Sequence, residues 1–170
     1  EPDLSEFYTG TSTELADLCA IVHDNSKAVD ASVPVICPQP TNPHALSLIY
    51  SAKTSSGRPL HELCDMVGSH LYDHPGHDQA GRAYDRRTIA DAVEEMRRAS
   101  KRFGVNKPLA ITEYGLSSCQ ATPTDDHPTP FFRMSPEAAG EALYQSLASM
   151  HAEGIKLVSL YSYDEGITDP

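Results

Sequence analysis

Four short runs rich in Val, Ile and Leu, centred near residues 35, 68, 111 and 159, alternate with longer stretches whose apolar residues recur at helical spacing. The runs stand roughly 33 to 48 residues apart, room for a strand, a crossover helix and elongated loops. A chain built this way folds most readily as parallel βα repeats. Four such strands make either a small open sheet or half of an eight-stranded barrel.

The strand segments are Val33 to Cys37, Met66 to Tyr72, the run Leu109 to Ile111 that ends on Glu113, and Leu157 to Tyr163. Between them the sequence predicts helices over about residues 12–30, 43–52, 89–103 and 136–153, with a helical turn at Leu60 to Leu63. Thr11 and Glu14 form a capping box before the first helix, in which Leu15, Leu18, Cys19, Val22, Ala28 and Val29 make an apolar stripe. Asn42 and Pro43 open the second and Thr88 caps the third, where Ile89, Ala92, Val93 and Met96 face inward. The last helix repeats Ala139, Ala142, Leu143, Leu147 and Met150.

With 170 residues the chain is one domain by length. A formal charge of -11 opposes binding to a nucleic-acid backbone or an anionic membrane surface and suits a neutral ligand. No run approaches the roughly 18 apolar residues of a membrane span, and any export signal would lie outside the sequence. Cys19, Cys37, Cys64 and Cys119 form no C-x-x-C pair; two disulfides are open to them, but free core thiols are the expectation. There is no strand-to-helix G-x-G-x-x-G and no G-x-S-x-G elbow, which demotes nucleotide and esterase functions.

Chemistry in parallel α/β proteins collects at the C-terminal ends of strands. Glu113 ends the Leu109 to Ile111 run before Gly115 and is the first candidate, although a solvated or ion-paired Glu would look the same. His70 and Tyr72 end the preceding strand, and the loop from Asp73 to Asp85 is rich in His, Asp and Gly. Three imidazoles and two carboxylates lie between His70 and Asp78, but their spacing matches no metal motif, so neither a metal nor any other cofactor is expected.

These residues resemble the second half of a (β/α)8-barrel glycoside hydrolase, in the large clan of retaining enzymes with an acid/base on strand four and a nucleophile on strand seven. The chain opens on Glu1-Pro2-Asp3, similar to the Asn-Glu-Pro that closes strand four in that clan. Ile111-Thr112-Glu113-Tyr114-Gly115 resembles the end of strand seven, and His70-Leu71-Tyr72 the His-x-Tyr that often ends strand six. The opening, with Phe7-Tyr8-Thr9-Gly10-Thr11, is closest in look to the β-xylosidase and α-iduronidase branch and to cellulase-like relatives.

The resemblance implies strands five to eight of a TIM barrel, with residues 1–170 a single partial catalytic domain truncated at its N-terminus. It implies retaining hydrolysis of O-glycosidic bonds in poly-, oligo- or glycoconjugate saccharides, with Glu113 as nucleophile and Glu1 as acid/base. Such chemistry needs two carboxyl groups roughly 5–5.5 Å apart. Tyr72 would donate to the Glu113 carboxylate, or be a half-buried strand aromatic; His70 would contact sugar or orient Glu113, or be a satisfied structural histidine. Tyr161 and Tyr163, two apart on the last strand, are candidates to stack on a sugar where clan members place a Trp.

A non-catalytic carbohydrate-binding or interaction domain of parallel α/β type is the alternative. Under the half-barrel reading the partners are a carbohydrate substrate, with no nucleic acid or membrane, and the missing N-terminal half of the barrel or a self-association partner, because half a barrel leaves edges and one wall of its core open. Secretion or a periplasmic location would follow from polysaccharide degradation.

Overall fold

The computed structural model describes residues 1–41, 43–72, 89–104, 106–115 and 136–161. Its centre is a parallel three-stranded sheet of β1 (Val67–Tyr72), β2 (Leu109–Gly115) and β3 (Leu157–Leu160), in that order. α3 (Ile89–Arg102) lies in sequence between β1 and β2, and α4 (Pro136–Ala152) between β2 and β3, so the βα alternation is as the sequence predicts. Gly104 and Gly154 follow these helices with φ of 68° and 77°, the left-handed turn that frees the chain to re-enter the sheet.

The first apolar run does not become the expected fourth strand. Val33 to Cys37 contributes a single parallel bridge, Ile36 to Met66, although Val35 accepts from the Met66 amide and Cys37 donates to the Met66 carbonyl. Pro34, Pro38 and Pro40 bring no amide hydrogens, so a regular ladder cannot propagate through this segment. It still runs beside β1 as far as Pro40, whose carbonyl accepts from the His70 amide at 2.9 Å.

Val67 and Leu71 of β1, with Leu109, Ile111 and Tyr114 of β2, point into one apolar core with Leu46, Ile49, Val93, Met96 and Met150. α2 (Leu46–Ser51), preceded by a 3-10 turn at Pro43–Ala45, supplies Tyr50, whose ring packs edge-on to Phe103 at 6.0 Å. Lys107 donates to the carbonyls of His61 and Cys64, tying the turn Leu60–Glu62 and its exit to the start of β2. Burial lowers the Lys107 ammonium below its ordinary pKa.

α1 (Ser12–Val29) carries the capping box, with Thr11 accepting from the Glu14 amide and Glu14 from the Thr11 amide. Its apolar stripe departs from expectation. Ala16 is buried and Leu15 and Cys19 pack on the core, but Leu18, Ile21, Val22 and Val29 are exposed. The short segment beside β1 offers the helix too little surface to cover them.

Cysteine usage is a second correction. Cys37 and Cys64 form a disulfide across a sequence separation of 27, joining the first apolar run to the approach to β1, while Cys19 is free and burial raises its thiol to about 11. Cys119 lies outside the described residues. Two half-cystines far apart in sequence reveal their pairing only once the segments they sit on are side by side.

Closing a loop of this length should contribute about 3.5 kcal/mol through the unfolded state. Denaturant unfolding with and without reductant checks this, and Cys64→Ser should behave as the reduced protein does. Nearby, Asp65 accepts from Lys27 at 2.6 Å and from the Val35 amide at 2.8 Å. The Lys27 hydrogen bond, followed by that of Val35, holds the Asp65 carboxyl below its usual pKa. A depressed folded value means stability present at neutral pH and lost as acid passes below the unfolded carboxylate value of about 3.9. Wild type and Asp65→Asn should therefore differ in melting temperature at pH 7, and the difference should shrink as the pH falls below about 3.9.

Candidate active site

His70, near the C-terminal end of β1, is almost wholly buried, and its Nδ1 lies 2.9 Å from Glu1 Oε1 and 3.5 Å from Glu113 Oε2. The side chains of His70, Glu1 and Glu113 are 6%, 19% and 30% exposed, so a ligand can reach the two carboxylates and only the edge of the imidazole. One ligand atom from each residue falls within 4.8 Å of the others. Two half-buried carboxylates that share one imidazole are partly compensated for lost hydration and remain open on one side.

An irregularity in β2 creates this meeting. Ser69 pairs with Ile111, but His70 pairs with Glu113, which leaves Thr112 as an extra residue. The same interruption is seen towards β3, where Ile111 pairs with Val158 and Tyr114 with Leu160. In an unbroken strand Ile111 and Glu113 would share a face, and Glu113 would point into the helix-side core. The extra residue instead lets Ile111 and Tyr114, three apart, both enter that core, so Glu113 emerges on the opposite face with His70.

The face also demands Gly68. A Cβ there would stand 2.7 Å from side-chain carbons of Ile36 and Gln39, so nothing larger fits between β1 and the neighbouring segment.

Glu1 comes from outside the sheet and is held by its own turn. The Leu4 amide donates to the Glu1 carbonyl at 3.1 Å, and the Tyr8 amide to the Leu4 carbonyl at 3.0 Å. Asp3 fastens this turn to the end of the proline-rich segment by accepting from the Thr41 amide at 3.0 Å and from the Thr41 hydroxyl. Asp3 and Thr41 have no signature in the sequence, being 38 residues apart in loops. Gly68 did have one, an isolated glycine in a strand pattern.

Of the other sequence candidates, Tyr72 ends β1 opposite Gly115, and its side chain lies outside the described residues. Tyr161 follows β3, donates its amide to the Tyr114 carbonyl and exposes its ring. Tyr163, the loop from Asp73 to Asp85 and the cap Thr88 also lie outside. Among the described residues, the one grouping of metal-capable side chains is Glu1, His70 and Glu113.

No protein-family model matches the chain, and no curated protein matches it. Solved structures do. A Paenibacillus polymyxa xyloglucanase of glycoside hydrolase family 44 superposes with a TM-score of 0.55 at 12% identity, over 92% of this chain and 38% of that one. A family 44 endoglucanase from Clostridium thermocellum gives 0.58 at 14% identity, over 89% and 38%. A family 17 β-1,3-glucanosyltransferase from Rhizomucor miehei gives 0.51 at 14%, over 90% and 47%. The chain thus shares the fold of part of several glycoside hydrolases and spans less than half the length of each.

Hydrogen bonds to a charged acceptor contribute about 1.5–3 kcal/mol each. Asp3→Ala should therefore release the Glu1 turn, speeding hydrogen exchange at the Thr41 amide and making the peptide before α1 the first site of limited proteolysis, while the β1 and β2 amides keep their protection.

Proposed function

We propose that the chain is strands five to eight of a (β/α)8-barrel glycoside hydrolase that works with retention, the Val33 to Pro40 segment standing as the fifth strand. The observation that carries this reading is the meeting of Glu1 with His70 and Glu113 at the C-terminal ends of β1 and β2, in a fold shared with part of glycoside hydrolases of families 44 and 17.

One oxygen of each carboxylate lies within 4.8 Å of the other, which is compatible with the roughly 5–5.5 Å between the carboxyl groups of a retaining pair. Glu113 attacks the anomeric carbon, the glycosidic C–O bond breaks, and Glu1 gives its proton to the departing oxygen. Water then displaces Glu113 as the Glu1 carboxylate takes a proton back, and two inversions amount to retention. His70, in contact with both carboxylates, orients them. Tyr72, Tyr161 and Tyr163 are the proposed sugar contacts. Glucan polysaccharides, the substrates in the names of the similar structures, are the first to screen, and action on them would place the protein in a secreted or periplasmic setting.

The exposed apolar side of α1 and the exposed Leu157, Leu160 and Tyr161 at the other end of the sheet are the surfaces the missing half-barrel would cover. The alternative, a non-catalytic carbohydrate-binding or interaction domain, treats the carboxylates as incidental; it predicts sugar binding that survives Glu113→Gln and no turnover.

Two outcomes are expected. Assayed with strands one to four supplied in the same chain, Glu113→Ala should lower glycosidase turnover by at least about a thousandfold, and azide should restore it with formation of a glycosyl azide of inverted configuration. Unchanged turnover in this variant would sink the assignment. Residues 1–170 alone should self-associate in sedimentation velocity, whereas a monomer with a sharp two-state melt would speak against the half-barrel.

A further inference from the structure

The three side chains that the proposed reaction uses as acid/base, nucleophile and orienting imidazole are also a ligand set. Nδ1 of His70, nine-tenths buried, is aimed between two carboxylates on different parts of the chain, at 2.9 Å and 3.5 Å. Ligand atoms around a tetrahedral zinc at 2.0–2.1 Å sit about 3.3 Å from each other, so both distances bracket the edge of such a polyhedron. The remaining pair of oxygens lies within 4.8 Å.

We propose that Glu1, His70 and Glu113 bind one divalent cation of the zinc class, with water in the fourth position on the open side. Imidazole nitrogen discriminates against Mg²⁺ and Ca²⁺, which prefer oxygen shells, and favours Zn²⁺, Co²⁺, Ni²⁺ and Cu²⁺. Two carboxylates and a neutral imidazole carry a charge of about −2, which a dication cancels, and the formal charge of -11 over the chain raises the cation concentration at its surface. The cation takes the lone pair of Nδ1 and releases the proton shared with Glu1 to solvent. Binding stands without the hydrolytic reading; its consequence, that the metal ties up both carboxylates and blocks turnover, rests on it.

The test is a titration of the chelator-treated protein with CoCl₂ and ZnCl₂, against MgCl₂ as control. One equivalent of Co²⁺ should bind and give the visible bands of a four-coordinate site, and Zn²⁺ should displace it. Glu113→Gln, at the most exposed of the three positions, should weaken binding by at least about tenfold. Because His70 is buried and its replacement could unfold β1, a second readout is the imidazole NMR signal of His70 in the wild type, which should shift with the first equivalent of Zn²⁺. Absence of saturable binding below about 1 mM, binding unchanged by Glu113→Gln, or an unshifted His70 signal would each overturn the site. The titration uses no substrate, so its failure leaves the hydrolytic reading standing, just as an inactive enzyme that binds Co²⁺ leaves the metal site standing.

Discussion

Everything described hangs on β2 being paired on both sides. Its seven residues take β1 along one edge and β3 along the other, and both partners run parallel to it. Parallel pairing needs a crossover between strands, so α3 and α4 are demanded by the sheet as much as by their own sequences. The same strand faces the core with Leu109, Ile111 and Tyr114 and then turns Glu113 the other way. Core packing and the carboxylate group are thus divided between two sides of one strand, and a single extra residue sets the division.

The polar face is economical in its supports. His70 is fixed by the backbone bond of its amide to Pro40 and by its place beside Glu113, and Gly68 makes room for the segment that holds Pro40. Glu1 arrives on a turn whose anchor, Asp3 on Thr41, belongs to that same segment. The proline-rich run, poor as a strand, therefore aligns two members of the group at once.

Much of the fold was legible. Among the described residues, helical spacing located α1, α3 and α4 to within a few residues, and the Pro43 start located α2, because apolar periodicity and cap chemistry depend on local sequence alone. Glu113 and His70 could be singled out because a polar residue at the end of an apolar run is conspicuous. Three features were not legible. The reduction of Val33 to Cys37 to one bridge depends on whether each missing proline amide falls on the ladder side. The Cys37–Cys64 bond depends on tertiary proximity. The extra residue at Thr112 leaves no mark on composition or period, since Ile111, Glu113 and Tyr114 fit an ordinary strand until the partners on both sides are known. Sequence pattern also overestimated the burial of α1: a stripe says which side of a helix is apolar, not that something covers it.

The two margins of the sheet are chemically unequal. One is lined by a proline-studded segment that can take up little further backbone pairing, whereas β3, among the described residues, ends the sheet with an open ladder beside exposed Leu157 and Leu160. Among the described residues the regular ladder is therefore the more readily extended at β3, the proline-studded margin offering fewer amides for a further strand. Two copies related by a twofold axis would meet there with their β3 strands antiparallel, a terminated pair rather than a fibre, and a geometry distinct from the parallel neighbour that a barrel would place at the same strand.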